Sequence, residues 1–266
     1  MPRRARLDAE LVRRGLARSR EQAAELVHAG RVRVAGQQAS KPATAVDAGT
    51  PLVVTESPAG PDYVSRGGHK LAGALDALAD LRVADRRCLD AGASTGGFTD
   101  VLLRRGARSV VAVDVGYGQL AWSLRTDERV TVIDRTNVRA LSPEQIGGPA
   151  DLVVADLSFI SLALVLPALA ACTAPGGDLL PMVKPQFEVG RGQVGAGGVV
   201  RDPALRARAI AAVTATAADL GYGMAGVVAS PLPGPSGNVE YFLWLRADAP
   251  SADPAAIEAA VAGGPQ

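Results

Sequence analysis

The chain has 266 residues, enough for a small domain and a medium one, and we predict two domains. Aromatic residues make up 4% of it and hydrophobic residues 48%, so the core is expected to be aliphatic. The two cysteines, Cys88 and Cys172, provide no disulfide or zinc framework, and both lie in apolar runs typical of reduced, buried thiols. The sequence shows neither a secretory signal nor an apolar run of the roughly 18 residues that span a membrane. We therefore expect a cytoplasmic protein that does not associate with membranes.

The first two predicted elements are helices. Apolar residues recur at helical spacing from Leu7, and this pattern stops at Gly15. Ser19 begins a capping-box pattern for a second helix, which Gly30 is placed to end.

Two short strands are predicted next, at 31–36 and 51–56, and they complete a small α+β domain over residues 1–60. Residues 1–41 hold ten of the 28 basic residues and four of the 27 acidic ones, a net charge of +6 in a chain whose total is +1. Arginines on such a scaffold can bind phosphate groups and stack on bases, which favours an RNA-docking surface. On charge alone, a solvated helix face explains the pattern equally well.

The stretch from residue 4 to residue 36 resembles the small RNA-binding fold shared by a ribosomal small-subunit protein and many pseudouridine synthases. The resemblance covers roughly the first 60 residues and implies that the two helices form the side that faces RNA. The phosphate contacts that it implies are Arg3, Arg4, Arg6, Arg18 and Arg20.

Beyond a Pro/Gly-rich linker at 61–68, residues 69–247 are predicted to form a doubly wound, Rossmann-like α/β domain. Short apolar runs alternate there with amphipathic helical stretches, which indicates βαβ units and a parallel sheet. The last two runs are joined by PLPGPSG instead of a helix, so the final strand is predicted to be antiparallel. The Ala/Pro/Gly-rich tail, 248–266, is predicted to be flexible. The predicted strands lie at 86–92, 109–115, 129–135, 150–156, 177–185, 224–231 and 238–246.

The motif DAGASTGGFT at 90–99 follows the first strand of this sheet, where open α/β sheets bind their ligands. The spacing of Gly92, Gly96 and Gly97 does not fit the G-x-G-x-x-G pattern of dinucleotide-binding loops, which disfavours NAD. Asp90 would repel a pyrophosphate but can pair with the ammonium group of a methionine moiety. The motif therefore predicts S-adenosylmethionine, which carries no phosphate, as the cofactor.

Asp114 closes the second strand, 24 positions after Asp90, where a carboxylate can accept both ribose hydroxyls of the cofactor. The adenine is then expected at the end of the third strand. The alternative is a glycine-rich turn flanked by two capping carboxylates. The predicted cofactor contacts are Asp90, Gly92, Ser94, Thr95, Gly96, Gly97, Asp114, Asp134 and Arg135.

Four further residues are predicted to converge on one rim of the sheet: Lys70 before the first helix, Asp156 and Lys184 at strand ends, and Glu240 opening the last strand. Methyl transfer to a hydroxyl group needs in-line alignment and removal of a proton. A lysine can act as the base if burial or a nearby cation lowers its pKa, and Lys70 beside Lys184 would provide that cation. The two carboxylates would orient the ammonium groups. Each residue alone is better explained as a solvated lysine or a turn-capping acid, and only the four together favour a catalytic site.

These four residues match, in order and context, the K-D-K-E tetrad of the FtsJ-like ribose 2'-O-methyltransferases. The segments YVSRGGHKL, DAGASTGGFTD, VGYGQLAWSLR, DLSFISL, VKPQFEVG and GPSGNVEYFLWL together resemble the TlyA (hemolysin A) family over nearly the whole chain. The resemblance implies methylation of the ribose 2'-hydroxyl of cytidine in ribosomal RNA of one or both subunits, with Lys184 as base and no metal. It also implies that Phe159 lines the cofactor or target pocket, and that Ser236 and Asn238 lie in a loop over the active site.

Other functions remain to be weighed. The sequence DLSF at 156–159 lacks the two prolines of amino-methylating enzymes, and neither cysteine is placed as the nucleophile that carbon-5 methylation of cytosine requires. No amphipathic spanning segment supports a pore-forming cytolysin. A noncatalytic factor that binds RNA during ribosome assembly stays open, and loss of product on substitution of Lys184 would exclude it.

Overall fold

The computed structural model describes residues 4–17, 19–55 and 62–265, and the chain divides into two compact units, Met1–Asp62 and Tyr63–Gln266. Arg3 and Arg18, two of the predicted RNA contacts, lie outside the described residues. Each unit is described by itself below.

The first unit packs two helices over short antiparallel strands. Leu7, Leu11, Val27 and Val32 are buried in a core formed by both helices and the strands. The side chain of Ser19 accepts a hydrogen bond from the backbone N–H of Gln22 at 3.1 Å, so the predicted helix cap is present. The elements are β1 (Ala5–Arg6), α1 (Leu7–Arg13), α2 (Arg20–His28), β2 (Val32–Val34), β3 (Gln37–Gln38), β4 (Ala45–Val46) and β5 (Leu52–Val54).

The second unit alternates strands and helices over most of its length, as the sequence predicts. In chain order its elements are α3 (Arg66–Ala77), β6 (Arg87–Ala91), α4 (Gly97–Arg104), β7 (Ser109–Val113), α5 (Trp122–Arg125), β8 (Val130–Ile133), β9 (Ala150–Ala155), α6 (Leu166–Ala171), β10 (Thr173–Val183), α7 (Pro185–Glu188), α8 (Pro203–Asp219), β11 (Gly223–Ala229), β12 (Tyr241–Arg246) and α9 (Pro254–Ala262).

Within residues 62–265, seven strands form one sheet in the order β11-β12-β10-β9-β6-β7-β8. The five strands from β10 to β8 are parallel, whereas β12 runs antiparallel between β10 and β11. The predicted α/β class with an antiparallel last strand is thus confirmed. The order places the carboxyl ends of β6, β7, β9 and β10 along one edge.

Alternate residues of the central strands enter two separate cores, one on each face of the sheet. Leu89 and Val153 belong to one core, and Cys88 and Leu152, one position earlier on the same strands, belong to the other. Because both faces of these strands are buried, their successive residues are nearly all apolar, and the sequence shows them as continuous apolar runs. Among the described residues, no helix is both long enough and apolar enough to cross a membrane.

Two predictions about the boundaries of this unit are wrong. Residues 66–68 of the predicted linker already belong to α3, so Lys70 lies inside this helix and not before it. The glycines that indicated a linker permit close packing, because a Cβ atom on Gly68 would lie 2.4 Å from the Cβ atom of Tyr63.

The tail is the second correction, since part of the segment predicted to be flexible forms α9. The side chain of Asp253 accepts a hydrogen bond from the backbone N–H of Ala255 at 2.9 Å, and Pro254 occupies the first turn. Ile257 and Val261 are buried in the core. An alanine-rich helix with two buried aliphatic residues thus replaces the expected flexible segment.

Candidate active site

A cavity of about 350 Å³ opens where the central strands of the sheet end. The loop after β6 lines it with Gly92, Ser94 and Thr95, and α3 contributes Lys70. Asp156, which directly follows β9, lies on another side. The predicted glycine-rich loop and two of the four predicted tetrad residues therefore border the same space.

Asp90 is fully buried at the end of β6, next to this loop. One carboxylate oxygen, Oδ2, accepts a hydrogen bond from the hydroxyl of Thr99 at 2.6 Å, while Oδ1 has no partner. Burial, with smaller contributions from the nearby Asp156 and Asp114, raises the pKa of Asp90 to about 7 against the lowering effect of Thr99. A buried acceptor without a donor fits the ammonium group of S-adenosylmethionine, which would supply both the hydrogen bond and the compensating charge.

The glycine-rich loop takes a shape that larger side chains would disturb. Gly92 has φ +86°, and a Cβ atom there would lie 2.5 Å from the backbone oxygen of Asp156. Ser94, a residue with a side chain, also has a positive φ of +48°. Such conformations concentrate at binding sites, where the surrounding structure maintains them.

Asp114 follows β7 and helps to hold this loop. Its Oδ2 accepts a hydrogen bond from the backbone N–H of Ser94 at 2.8 Å, and its Oδ1 accepts one from the N–H of Gly116 at 2.7 Å. Asp134 contacts Arg125 at 3.1 Å, and the guanidinium of Arg135 lies 4.2 Å from the ring centre of Tyr117. The last two contacts lie beyond the residues that line the cavity, so an adenine site there stays a prediction.

The four tetrad residues form two ion pairs. Lys70 Nζ lies 2.5 Å from Oε2 of Glu240, and the two side chains are 8% and 1% exposed. Lys184 Nζ lies 2.5 Å from Oδ1 of Asp156, with side chains 9% and 24% exposed. Each ammonium group thus has its own carboxylate, which is the orienting role predicted for the two acids.

Two residues near Lys184 were not predicted from the sequence. Lys184 Nζ also donates a hydrogen bond to Ser158 Oγ at 3.0 Å. Glu188, at the end of α7, accepts hydrogen bonds from the hydroxyl of Ser161 at 2.6 Å and from the N–H of Leu162 at 2.9 Å. Both residues lie in segments that carry the family resemblance, Ser158 in DLSFISL and Glu188 in VKPQFEVG, but a motif does not show which side chains contact one another.

Phe159 projects from the loop between Ser158 and Ser161. Its side chain is 91% exposed, and its ring centre lies 5.3 Å from that of Phe187. It does not line the cavity next to Gly92. A contact with the target nucleotide therefore suits its position better than a contact with the cofactor.

The loop between β11 and β12 borders the cavity through Pro233 and Pro235. Ser236 belongs to the same loop, and Asn238 lies at its end, buried, with hydrogen bonds to the N–H of Val200 and the carbonyl of Gly198. Asn238 thus connects this loop to the segment that contains Gly198 and Val200 and precedes α8.

The cysteines are unsuited to nucleophilic catalysis. Burial raises the pKa of Cys88 to about 12 and that of Cys172 to about 11. Both thiols are fully buried, as the sequence predicts.

In the first unit, the described arginines that were predicted to contact RNA all pair with acids. Arg6 and Arg20 lie 2.8 and 3.1 Å from the carboxylate of Asp8, and Arg4 lies 3.5 Å from that of Asp47. The hydrogen bond from Arg6 keeps the pKa of Asp8 well below its usual range. The guanidinium groups of Arg4, Arg6 and Arg20 remain more than half exposed, so they can still reach a phosphate.

In this chain an α/β domain with a cavity at the carboxyl ends of its central strands follows a separate N-terminal unit. The model of the FtsJ-like methyltransferase family matches residues 63–247, and that of the S4 domain matches residues 5–52. The chain belongs to the TlyA family. It is 70% identical, over 92% of its length and 91% of the relative's, to the 16S/23S rRNA (cytidine-2'-O)-methyltransferase TlyA of Mycobacterium tuberculosis.

Two more distant relatives agree with this assignment. Hemolysin A of Brachyspira hyodysenteriae is 35% identical over 89% of this chain and 97% of its own. Among solved structures, a protein described as a hemolysin from Streptococcus thermophilus is 43% identical and covers 98% of this chain and 95% of its own, with a TM-score of 0.75.

Proposed function

We propose that this protein transfers the methyl group of S-adenosylmethionine to the ribose 2'-hydroxyl of cytidine in 16S rRNA, 23S rRNA or both. The observation that carries the proposal is the pair of Lys–carboxylate contacts beside the glycine-rich loop, in a chain 70% identical to an enzyme named for this reaction. Its substrate would be reached in the cytoplasm, as rRNA alone or within a ribosomal subunit.

The residues that would bind the cofactor are Asp90 at the methionine end and the backbone of the loop from Gly92 to Gly97. The unpartnered Oδ1 of Asp90 accepts from an ammonium group, and Asp114 offers its remaining acceptor capacity to ribose hydroxyls. S-adenosylmethionine supplies a methyl group on a sulfonium, which is already a good leaving group. The protein must therefore mainly position the hydroxyl and take up its proton.

Lys184 is the proposed base. Its amine lies among acceptors, Asp156 and Ser158, which orient it at the end of β10. Lys184 acts as a base in its neutral form, so the ammonium that pairs with Asp156 must first release a proton to solvent. Once the amine has accepted the proton of the 2'-hydroxyl, the carboxylate of Asp156 stabilises the ammonium that forms again. Lys70 and Glu240 form the second ion pair of the tetrad, and we assign them to positioning the 2'-hydroxyl or the ribose groups next to it.

The exposed guanidinium groups of the S4 unit would hold the RNA by its phosphates. Such contacts fix the position of the RNA without reading its sequence. Phe159 would then meet the target nucleotide, because a flat exposed ring can stack on an unpaired base.

The test is nucleoside mass spectrometry of 16S and 23S rRNA, and of ribosomal subunits, incubated with the purified protein and S-adenosylmethionine. We expect 2'-O-methylcytidine with the wild-type protein and about 10²- to 10⁴-fold slower formation with Lys184→Ala, because general-base catalysis contributes on that scale. Arg139→Ala, which removes an exposed cation elsewhere in the second unit, is the control and should behave as wild type.

An unmodified nucleoside profile with the wild-type protein, for every RNA and subunit tried, would contradict the proposal. A Lys184→Ala protein that keeps full activity would leave the reaction in place but remove this residue as the base.

A further inference from the structure

We propose that Glu188 is a positioning residue for methyl transfer, which keeps the loop from Asp156 to Leu162 in the conformation that places Ser158 against Lys184. The inference rests on the proposed function and extends it to a residue outside the K-D-K-E tetrad. It predicts that loss of Glu188 slows the chemical step and leaves the affinities for cofactor and RNA nearly unchanged, because the exposed arginines of the S4 unit, and not the single ring of Phe159, supply most of the RNA affinity.

Helix α7 is a single turn that connects two groups of contacts. Lys184 directly precedes this turn and contacts Asp156 and Ser158, at the start of the loop. Glu188 ends the turn and contacts Ser161 and Leu162, at the end of the loop. The loop is therefore attached at both ends to the same short segment, Lys184 to Glu188, which includes the proposed base.

The loop from Asp156 to Leu162 needs such an attachment. Phe159, at its middle, has φ +63° with its side chain 91% exposed, so little packing holds it in this strained backbone conformation. Its one described ring contact is with Phe187, which also belongs to α7. The bonds from Ser161 and Leu162 to Glu188 thus determine where the far end of the loop lies.

A carboxylate at position 188 is energetically unfavourable, because the residue is partly buried. Burial raises the pKa of its carboxyl group, against the hydrogen bonds from Ser161 and Leu162 that lower it. Glu188 is half-buried, and both of its described hydrogen bonds go to one loop. A role in holding that loop explains why an acid lies there.

The experiment compares two substitutions of the same residue. In Glu188→Ala both hydrogen bonds are lost, and we expect the single-turnover rate to fall about 10- to 100-fold, as for a displaced catalytic group, with both affinities within about twofold of wild type. In Glu188→Gln the amide oxygen can accept from Leu162 and the amide nitrogen can donate to Ser161, so the rate should return to within about threefold of wild type.

Glu258→Ala, an exposed glutamate on α9, is the matched control and should leave the rate and both affinities unchanged. Should Glu188→Ala fail to fold, Ser161→Ala decides the question, because it removes one of the two contacts and should lower the rate about 3- to 10-fold. Folding of every variant is checked by circular dichroism.

Three results would overturn the inference: a wild-type rate in the alanine variants, a glutamine variant as slow as Glu188→Ala, or cofactor and RNA affinities that fall together with the rate. Each applies to Glu188 only and leaves the activity of the wild-type protein in place. Absence of 2'-O-methylcytidine with the wild-type protein would instead overturn the proposed function, and this inference with it.

Discussion

Two groups of ion pairs, one in each unit, differ in how far their cations are exposed to solvent. In the S4 unit, the arginine side chains around Asp8 are 53% and 60% exposed, while the aspartate is 6% exposed. In the methyltransferase unit, both partners of the Lys70–Glu240 pair are buried. An exposed guanidinium can leave its partner for a phosphate at little cost, whereas a buried ammonium cannot lose its carboxylate without a large penalty. The first arrangement suits binding and the second suits exact placement of charge.

The largest effect is expected from breaking the buried pair. Glu240→Ala leaves the ammonium of Lys70 without its carboxylate, and we expect the free energy of unfolding to fall by about 3–5 kcal/mol. Denaturant titration followed by circular dichroism measures this change. The double variant Lys70→Met/Glu240→Leu restores apolar contacts and should recover most of the stability while remaining inactive.

A single Glu240→Ala variant as stable as wild type would show that water reaches Lys70 and that the pair is not truly buried. In that case the contrast between a buried pair in the methyltransferase unit and pairs with exposed cations in the S4 unit would be wrong.

A smaller effect, dependent on pH, is expected at Asp90. Its pKa is about 7 in the folded protein, above the usual value of an unfolded aspartate, so the folded state gains a proton and loses stability as the pH rises from about 4 to about 7. Binding of an ammonium group requires the charged carboxylate. The affinity for S-adenosylmethionine should therefore fall about tenfold from pH 8 to pH 6, as titration calorimetry can measure.

Asp90→Asn removes this titration and keeps an acceptor for Thr99. We expect the variant to bind cofactor weakly at every pH, and to gain stability relative to wild type as the pH rises from about 4 to about 7. Equal cofactor affinity of the wild-type protein at pH 6 and pH 8 would contradict the assignment of Asp90.

The smallest effect is expected in the S4 unit, where the chain provides a matched pair of variants. Arg20→Ala leaves Asp8 with Arg6, and Arg13→Ala leaves Glu10 with Arg14, so each buried acid keeps one arginine. Both variants should change stability by less than about 1 kcal/mol. Arg20→Ala should also weaken RNA binding and reduce the slope of log affinity against log salt by about 1, whereas Arg13→Ala should not.

Fluorescence anisotropy with an rRNA fragment at several salt concentrations distinguishes the two variants. Equal salt slopes for Arg20→Ala and wild type would remove Arg20 from the phosphate contacts.

The sheet was predictable because its strands are short apolar runs between polar turns. Each described strand from β6 to β12 overlaps its predicted range, with β10 extending four residues earlier. The sequence does not predict the start of α3, because Gly67 and Gly68 indicate a break, and only the packing against Tyr63 shows why Gly68 lies in this helix. The tail was missed because its composition does not show that Ile257 and Val261 face a core.

At the candidate site, the sequence predicted which residues approach one another but not how they pair. Lys70 and Glu240 are 170 positions apart, and nothing in either segment indicates that this lysine, and not Lys184, meets that glutamate. The contacts of Ser158 and Glu188 could not be predicted for the same reason, since they depend on how α7 lies against a loop some 26 positions earlier.

The division of labour between the units is tested most directly by single-turnover methylation at increasing enzyme concentration, with Arg20→Ala and Lys184→Ala compared to wild type. We predict that Arg20→Ala needs more enzyme but reaches the wild-type rate at saturation. Lys184→Ala should saturate at the wild-type concentration and stay about 10²- to 10⁴-fold slower. A Lys184→Ala protein that reaches the wild-type rate at saturation would contradict the account.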